Sequence, residues 1–138
     1  MSCVFCEIGA GKIAAEIVWR GEGALAFLDH RPLFPGHVLL VPDQHVATLS
    51  DLPAREVGPL FAAAQRIERA VVAATGAEGS FVAINNHVSQ SVPHLHIHIV
   101  PRSKGDGLKG FFWPRRNYSS EEQLRETARA IRALLNVQ

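Results

Sequence analysis

Gln90-Ser91-Val92-Pro93-His94-Leu95-His96-Ile97-His98-Ile99-Val100-Pro101-Arg102 is the stretch that decides how the chain is read. His94, His96 and His98 alternate with Leu95, Ile97 and Ile99, the period of two expected of a strand. One face of that strand is imidazole and the other is aliphatic. Alternate residues on a strand lie about 6.6 Å apart, so His94 and His98 are about 13 Å apart along the backbone, too far to share one zinc ion comfortably. The three imidazoles are therefore expected to divide between two jobs.

The His94-Leu95-His96-Ile97-His98-Ile99-Val100 run resembles the histidine triad of the HIT superfamily, and Gln90-Ser91-Val92 resembles the lead-in found in its Hint and bacterial branches. Phe27-Leu28-Asp29, Pro32 and Gly36-His37 through Pro42 resemble a second HIT block. The resemblance implies an α+β domain: a five-stranded, mostly antiparallel sheet, one long central helix and a C-terminal helix. Patterning agrees. Glu16–Arg20 and Ala24–Asp29 read as a hairpin turning at Gly21-Glu22-Gly23, and His37–Pro42 as an apolar strand closed by its proline. Phe81–Asn86 reads as the fourth strand and the triad as the fifth. Val57, Leu60, Phe61, Ala64, Ile67, Val71 and Ala74 keep the spacing of an amphipathic helix of about six turns, starting near Pro53 behind Ser50 or Asp51 as cap and stopping at Gly76. Residues 101–118 are irregular. A last helix over 120–136 starts with a Ser120/Gln123 capping box and is expected to bury Leu124, Ile131, Leu134 and Leu135.

One domain spanning 1–138 suits the length. The composition, 47% hydrophobic and 20% charged with a net charge of +1, offers no electrostatic argument for nucleic acid or membrane partners. No apolar run approaches the roughly 18 residues of a membrane span, and the first residues lack a basic-then-apolar signal pattern, which points to the cytoplasm. Cys3 and Cys6, the only cysteines, form a C-x-x-C pair that in a reducing compartment reads as half a metal site.

Imidazole is a good nucleophile near neutral pH, and its attack on phosphorus gives a labile P–N bond. The resemblance implies His96 as nucleophile, with His98 contacting phosphate oxygens and His37 supporting from the neighbouring strand. Gln90 and Ser91, with Asn85 or Asn86, are neutral donors for phosphate oxygens and the scissile bridge. Asp29 matches the family's ribose-binding acid, and Phe5, Ile8 and Phe27 would form the slot for the base. Zinc-bearing members pair the C-x-x-C with two histidines, which here are His45 and His94; the resulting Cys₂His₂ set has no open position and is structural. No catalytic cofactor is implied. The Asn86-His87-Val88-Ser89-Gln90 loop departs from the family, being short and carrying Ser89 where glycine is common; His87 reads as a solvated loop residue.

The leading reading is a hydrolase or nucleotidyl transferase that acts on a nucleoside phosphoramidate or dinucleoside polyphosphate through a nucleotidyl-histidine intermediate. A non-catalytic purine nucleotide sensor or scaffold is the alternative. A metal-dependent phosphohydrolase using His96 and His98 with Asp29 or His37 is disfavoured, because no cluster of carboxylates accompanies the triad. The expected partners are a purine nucleotide or its conjugate and, by resemblance, a second copy of the chain in a homodimer.

Overall fold

The computed structural model describes residues 2–21, 23–108 and 113–135. The chain forms two compact units, residues 1–106 and 107–138, taken here in turn.

The first unit is built on a five-stranded antiparallel sheet in the order β1-β2-β3-β5-β4. Its strands are β1 (Ile17–Gly21), β2 (Ala24–Leu28), β3 (Val38–Pro42), β4 (Gly79–Ala83) and β5 (Ile97–Arg102). Gly21 faces Ala24 across the first hairpin, and Gly23 takes φ 72°, a left-handed conformation that glycine reaches without steric cost. Glu22, the residue between them, lies outside the described residues.

The period of two gives the sheet two separate cores. Ala24, Ala26, Val38, Leu40, Leu95, Ile97 and Ile99 point to one face, where the 22-residue helix α2 (Ala54–Thr75) covers them with Leu60, Ala63, Ala64, Ile67 and Val71. Leu25, Phe27, Leu39 and Val41 point to the other, beneath Phe5 and Ile8 of the six-residue helix α1 (Val4–Gly9). Leu39 faces His98 in the β3–β5 register, so the histidines belong to the α1 face.

Several boundaries differ from the sequence reading. The triad strand begins only at Ile97; Ser91 to His94 form a bend, and of the segment before the strand Leu95 donates its N–H to the Val46 carbonyl at 2.7 Å. β4 starts two residues and ends three residues earlier than expected, at Gly79–Ala83, because its register is set by antiparallel pairing with Arg102 to His98 rather than by local β-propensity. Asp51 does not cap α2. It closes a capping box with Thr48 on the 3₁₀ turn Leu49–Asp51, and Pro53 occupies the cap position of α2 without a side-chain bond. Phe61, 40% exposed, and Ala74 lie outside the α2 core stripe, where Ala63 takes a place instead. Gly76 ends α2 as expected, with φ 67°.

In the second unit, α3 (Glu121–Leu135) starts at the expected place. Ser120 Oγ accepts from Gln123 N–H, but the returning Gln123 oxygen takes the Ser119 N–H rather than that of Ser120. None of its described residues is buried: Leu124, Ile131, Leu134 and Leu135 are 41–76% exposed. A helical period marks which residues share a stripe, and does not by itself provide a surface to cover it. Among the described residues no helix is long and apolar enough to cross a membrane.

Candidate active site and metal centre

The site lies where the start of β5 passes beneath α1. His96 is 4% exposed, and its Nδ1 lies 2.7 Å from the His94 carbonyl. A carbonyl can only accept, so Nδ1 carries the hydrogen and the lone pair sits on Nε2. Phe5 holds the ring edge-on at a centroid distance of 5.0 Å, and His98 lies against it at 4.9 Å.

A similar deduction fixes His37 and His98. The Leu33 N–H donates to His37 Nδ1 at 3.1 Å, so His37 carries its hydrogen on Nε2 and donates it to His98 Nδ1 at 2.9 Å. His98 is left with Nε2–H as a free donor. Burial holds both rings in the neutral form: the His98 pKa is pushed down to about 4 by desolvation and by the neighbouring His96 and His37, and that of His37 is lowered by desolvation against the pull of Asp29. The Asp29 carboxylate stands 3.8 Å from His37 Nδ1 and accepts the Arg31 backbone N–H at 2.9 Å. The Asp29 N–H, in turn, donates to the His37 carbonyl, tying the end of β2 to the start of β3.

These groups border an open cleft of about 430 Å³, lined on one side by Val4, Phe5 and Ile8 of α1. Asp29, His30 and Arg31 line another side, and Ser91, Val92 and His96 a third. A neighbouring cavity of about 550 Å³ shares Val4, Ile8, Asp29 and His30 and adds Phe27 and Ile13. Both volumes suit a small organic ligand, apolar at one end with a few polar groups at the other. A further cavity of about 330 Å³ on the opposite face of the sheet, between Trp19, Val38, Ile67 and Val71, carries no titratable group beyond Arg66, whose guanidinium lies 5.9 Å from the Trp19 ring centre.

Phe5, Ile8, Asp29, Ser91 and His96 thus meet in the main cleft, with Phe27 in the adjoining cavity, His98 edge-on to His96, and His37 tilted against His98. The amide side chains do not line either cavity. Asn86 Oδ1 accepts the Leu49 N–H at 2.8 Å, while Gln90 donates to the Ala47 carbonyl at 2.6 Å and accepts the His87 N–H at 2.9 Å. Their bonds fasten the 86–90 loop to the 47–49 segment. Asn85 is half-buried as the chain leaves β4. The shortness of the loop shows in its backbone: His87 and Ser89 have φ 66° and 60°, left-handed values that non-glycine residues seldom adopt. Phe111 and Phe112 lie outside the described residues.

Sequence reasoning did not single out His30, Arg31 or the Leu33 N–H. The signal was present in their position directly after the β2 acid.

A second cluster lies at the N-terminal turn of α1. Cys3 Sγ is 3.4 Å and Cys6 Sγ 3.6 Å from His94 Nδ1, and Cys6 Sγ is 3.4 Å from His45 Nδ1. All four donor atoms lie within 4.8 Å of one another. His94 Nε2 donates to the Pro42 carbonyl at 2.8 Å, leaving Nδ1 unprotonated and aimed at the sulfurs, which is the orientation a metal-binding imidazole requires. Burial lowers the His94 pKa, which also favours the neutral, ligating form. Desolvation and the nearby Cys3 raise the Cys6 thiol, a penalty on forming two adjacent thiolates that a dication would relieve. Two sulfurs and two imidazoles converging on one point fit zinc in a closed tetrahedron.

The HIT domain model matches residues 10–105. An uncharacterized HIT-like protein of Mycobacterium tuberculosis is 40% identical over 110 residues, 78% of this chain and 76% of its own. An adenosine 5′-monophosphoramidase of Schizosaccharomyces pombe is 32% identical over 124 residues, 88% and 90% of the two chains. The asymmetrical bis(5′-nucleosyl)-tetraphosphatase of the same yeast is 33% identical over 96 residues, 68% of this chain and 53% of that enzyme. Among solved structures, a HIT family member from Bacillus subtilis superposes with a TM-score of 0.87 at 31% identity, covering 96% of each chain. A zinc-bound histidine triad family protein from Mycobacterium smegmatis superposes with a TM-score of 0.73 at 37% identity, covering 100% and 99%. With its histidine face, its five-stranded sheet and the match over residues 10–105, the chain belongs to the HIT domain family.

Proposed function

We propose that this protein is a nucleotide hydrolase or nucleotidyl transferase that attacks the α-phosphorus of a nucleoside phosphoramidate or dinucleoside polyphosphate with His96 Nε2. The observation that carries the reading is the His96 Nδ1–H bond to the His94 carbonyl, which fixes the tautomer and leaves the nucleophilic lone pair on a ring that lines the cleft. In the first step a P–N bond forms as the bond from phosphorus to the leaving nitrogen or bridging oxygen breaks; a leaving amine takes up a proton, whereas a leaving phosphate chain departs as the anion. Water, or an acceptor nucleophile, then breaks the P–N bond. The His98 Nε2–H and the Ser91 hydroxyl are donors for the phosphate oxygens. Asp29 receives the ribose hydroxyls, and Phe5, Ile8 and Phe27 take the base. Gln90 and Asn86 act on the phosphate through the loop that they hold, and Asn85 through its place where β4 leads into that loop. Family relatives named for phosphoramidate and dinucleoside tetraphosphate hydrolysis support the substrate classes.

Cys3, Cys6, His45 and His94 would hold a structural zinc, supported by the convergence of their donor atoms and by the zinc-bound relative. Such an ion cross-links α1 to the start of the triad. The free cysteines suit a reducing, cytoplasmic setting. A homodimer is supported by the open outer edge of β4, where Val82 is 43% exposed, and by Phe61 on the outer surface of α2. Light scattering that returns a monomer mass overturns that arrangement.

The test of the chemistry is to mix the protein with diadenosine tetraphosphate or adenosine 5′-phosphoramidate in EDTA, quench early and measure the intact mass. An adenylylated chain is expected, and His96→Asn should lose both adduct and turnover while still binding AMP. Full activity in His96→Asn refutes the nucleophile.

A further inference from the structure

We propose that Arg31 selects the leaving group, favouring substrates in which nucleotidyl transfer expels an anionic phosphate chain over those that expel an uncharged amine. The inference rests on the function proposed above and names a residue and a preference within it.

Arg31 lines the cleft that holds His96 and Ser91, and is the one permanently cationic side chain among its lining residues. Its backbone N–H on Asp29 Oδ1 fixes its position relative to the acid. No described carboxylate pairs with its guanidinium, and the residue is exposed, so the side chain is available to a ligand. Direction follows from the two adjoining cavities. Asp29 and His30 belong to both, whereas Arg31 borders only the cavity containing His96 and not the one containing Phe27. Its charge therefore lies in the space shared by His96 and Ser91, which Phe5 and Ile8 also border, and away from Phe27. A phosphate on the ribose hydroxyls would meet the Asp29 carboxylate, which leaves the far side of the α-phosphorus as the place for the extra anion.

The surrounding imidazoles make this charge matter. His37 and His98 are held neutral by burial and cannot offset the negative charge that a polyphosphate brings. When the anhydride breaks, the electron pair of the P–O bond stays on the bridging oxygen and the departing phosphate chain gains negative charge, which a guanidinium stabilises. When a phosphoramidate breaks, the P–N pair stays on nitrogen, which takes up a proton and departs as a neutral amine. Arg31 gains nothing from that charge balance.

The experiment compares kcat/KM for diadenosine tetraphosphate and adenosine 5′-phosphoramidate in the wild type, Arg31→Ala and Arg31→Lys. Losing a charge-assisted contact predicts that Arg31→Ala lowers the ratio of the two kcat/KM values by about ten- to a hundredfold, with partial recovery in Arg31→Lys. Calorimetry with ADP and AMP on His96→Asn, with and without Arg31→Ala, gives a readout independent of turnover. The single variant should bind ADP more tightly than AMP, and adding Arg31→Ala should abolish that preference. An unchanged ratio, an equal fall on both substrates, or an ADP preference that survives Arg31→Ala overturns the assignment. Absence of an adenylylated His96 in the wild type would count against the proposed reaction, and the calorimetric arm would still decide Arg31.

Discussion

The His37–His98 pair offers a sharp test of the tautomer argument, because two substitutions of His37 separate a packing role from a proton-placing one. His37 is 2% exposed and is held between the Leu33 N–H at 3.1 Å and His98 Nδ1 at 2.9 Å. His37→Leu fills most of the space but removes both bonds. The Leu33 N–H lies in an exposed segment and can turn to water, so the main loss falls on His98 Nδ1, a part-buried acceptor left without its donor. Losing such a bond costs about 1–2 kcal/mol, equivalent to roughly 4–8 °C in Tm for a chain of this size. The larger effect is on chemistry. Without a donor at Nδ1, His98 can move its hydrogen there and withdraw the Nε2–H offered to the phosphate, a loss of about 10- to 100-fold in kcat. His37→Gln carries an acceptor and a donor on one planar amide and can serve both partners, so it should recover most of both losses. Urea or thermal unfolding with initial rates on one substrate measures the two. Equal behaviour of His37→Leu and His37→Gln in rate would show that the donor into His98 is immaterial and would refute the reasoning.

Three further outcomes are expected. Because the His98 pKa falls from 6.5 in the unfolded chain to about 4 in the folded one, and that of His37 moves the same way, the unfolded chain binds protons first. Stability is therefore complete above pH 6.5 and declines as pH falls toward 4, by about 1 kcal/mol after allowing for solvent screening; flat unfolding free energies from pH 7 to 4.5 would contradict it. Elemental analysis of chelator-free protein should find about one zinc per chain, and Cys3→Ser/Cys6→Ser should lose the metal and lower Tm; no bound zinc, or an unchanged Tm, counts against the site. Ser89→Gly removes the strain of a left-handed serine at φ 60° and should stabilise the protein by about 0.5–1 kcal/mol, net of glycine's added unfolded-state freedom, whereas a lower Tm would show that the Ser89 hydroxyl matters more than its backbone.

Legibility in the sequence followed the strength of the local pattern. The glycine turn located the β1–β2 hairpin, an apolar run closed by Pro42 located β3, and alternation divided the histidine run into two faces. The α2 stripe was found with its ends, but Phe61 and Ala74 were assigned to the core because a period of 3.6 leaves the width of the buried arc open. β4 moved because Gly79 and Ser80 have little β-propensity of their own and become strand only through pairing with Arg102 and Pro101. Of the site, the residues on strands and α1 were recognisable by their resemblance to the HIT motifs. Arg31 and the Leu33 N–H were not, since a loop residue's role depends on where the chain turns and a backbone donor has no sequence signature.

The largest error in the strand boundaries is also the one most closely tied to the chemistry. Had β5 run regularly from His94, the His94 carbonyl would have been spent on a neighbouring strand. Pairing with β3 begins at Ile97 and pairing with β4 reaches only His98, so residues 94–96 lie beyond both ladders, anchored by the Leu95 N–H on Val46. The freed carbonyl accepts the His96 imidazole. Each histidine then presents a different atom according to what holds its other nitrogen. The Pro42 carbonyl leaves His94 with Nδ1 toward the sulfurs, the His94 carbonyl leaves His96 with Nε2 toward the cleft, and His37 leaves His98 with a hydrogen to donate. Under the proposed function, identical side chains two residues apart would serve as metal ligand, nucleophile and donor according to those bonds alone. Phe5, edge-on to both His94 and His96, packs α1 against the two of them. A change at the cysteine cluster therefore reaches His96 through one helix and one carbonyl, which would couple the short N-terminal segment to the proposed nucleophile.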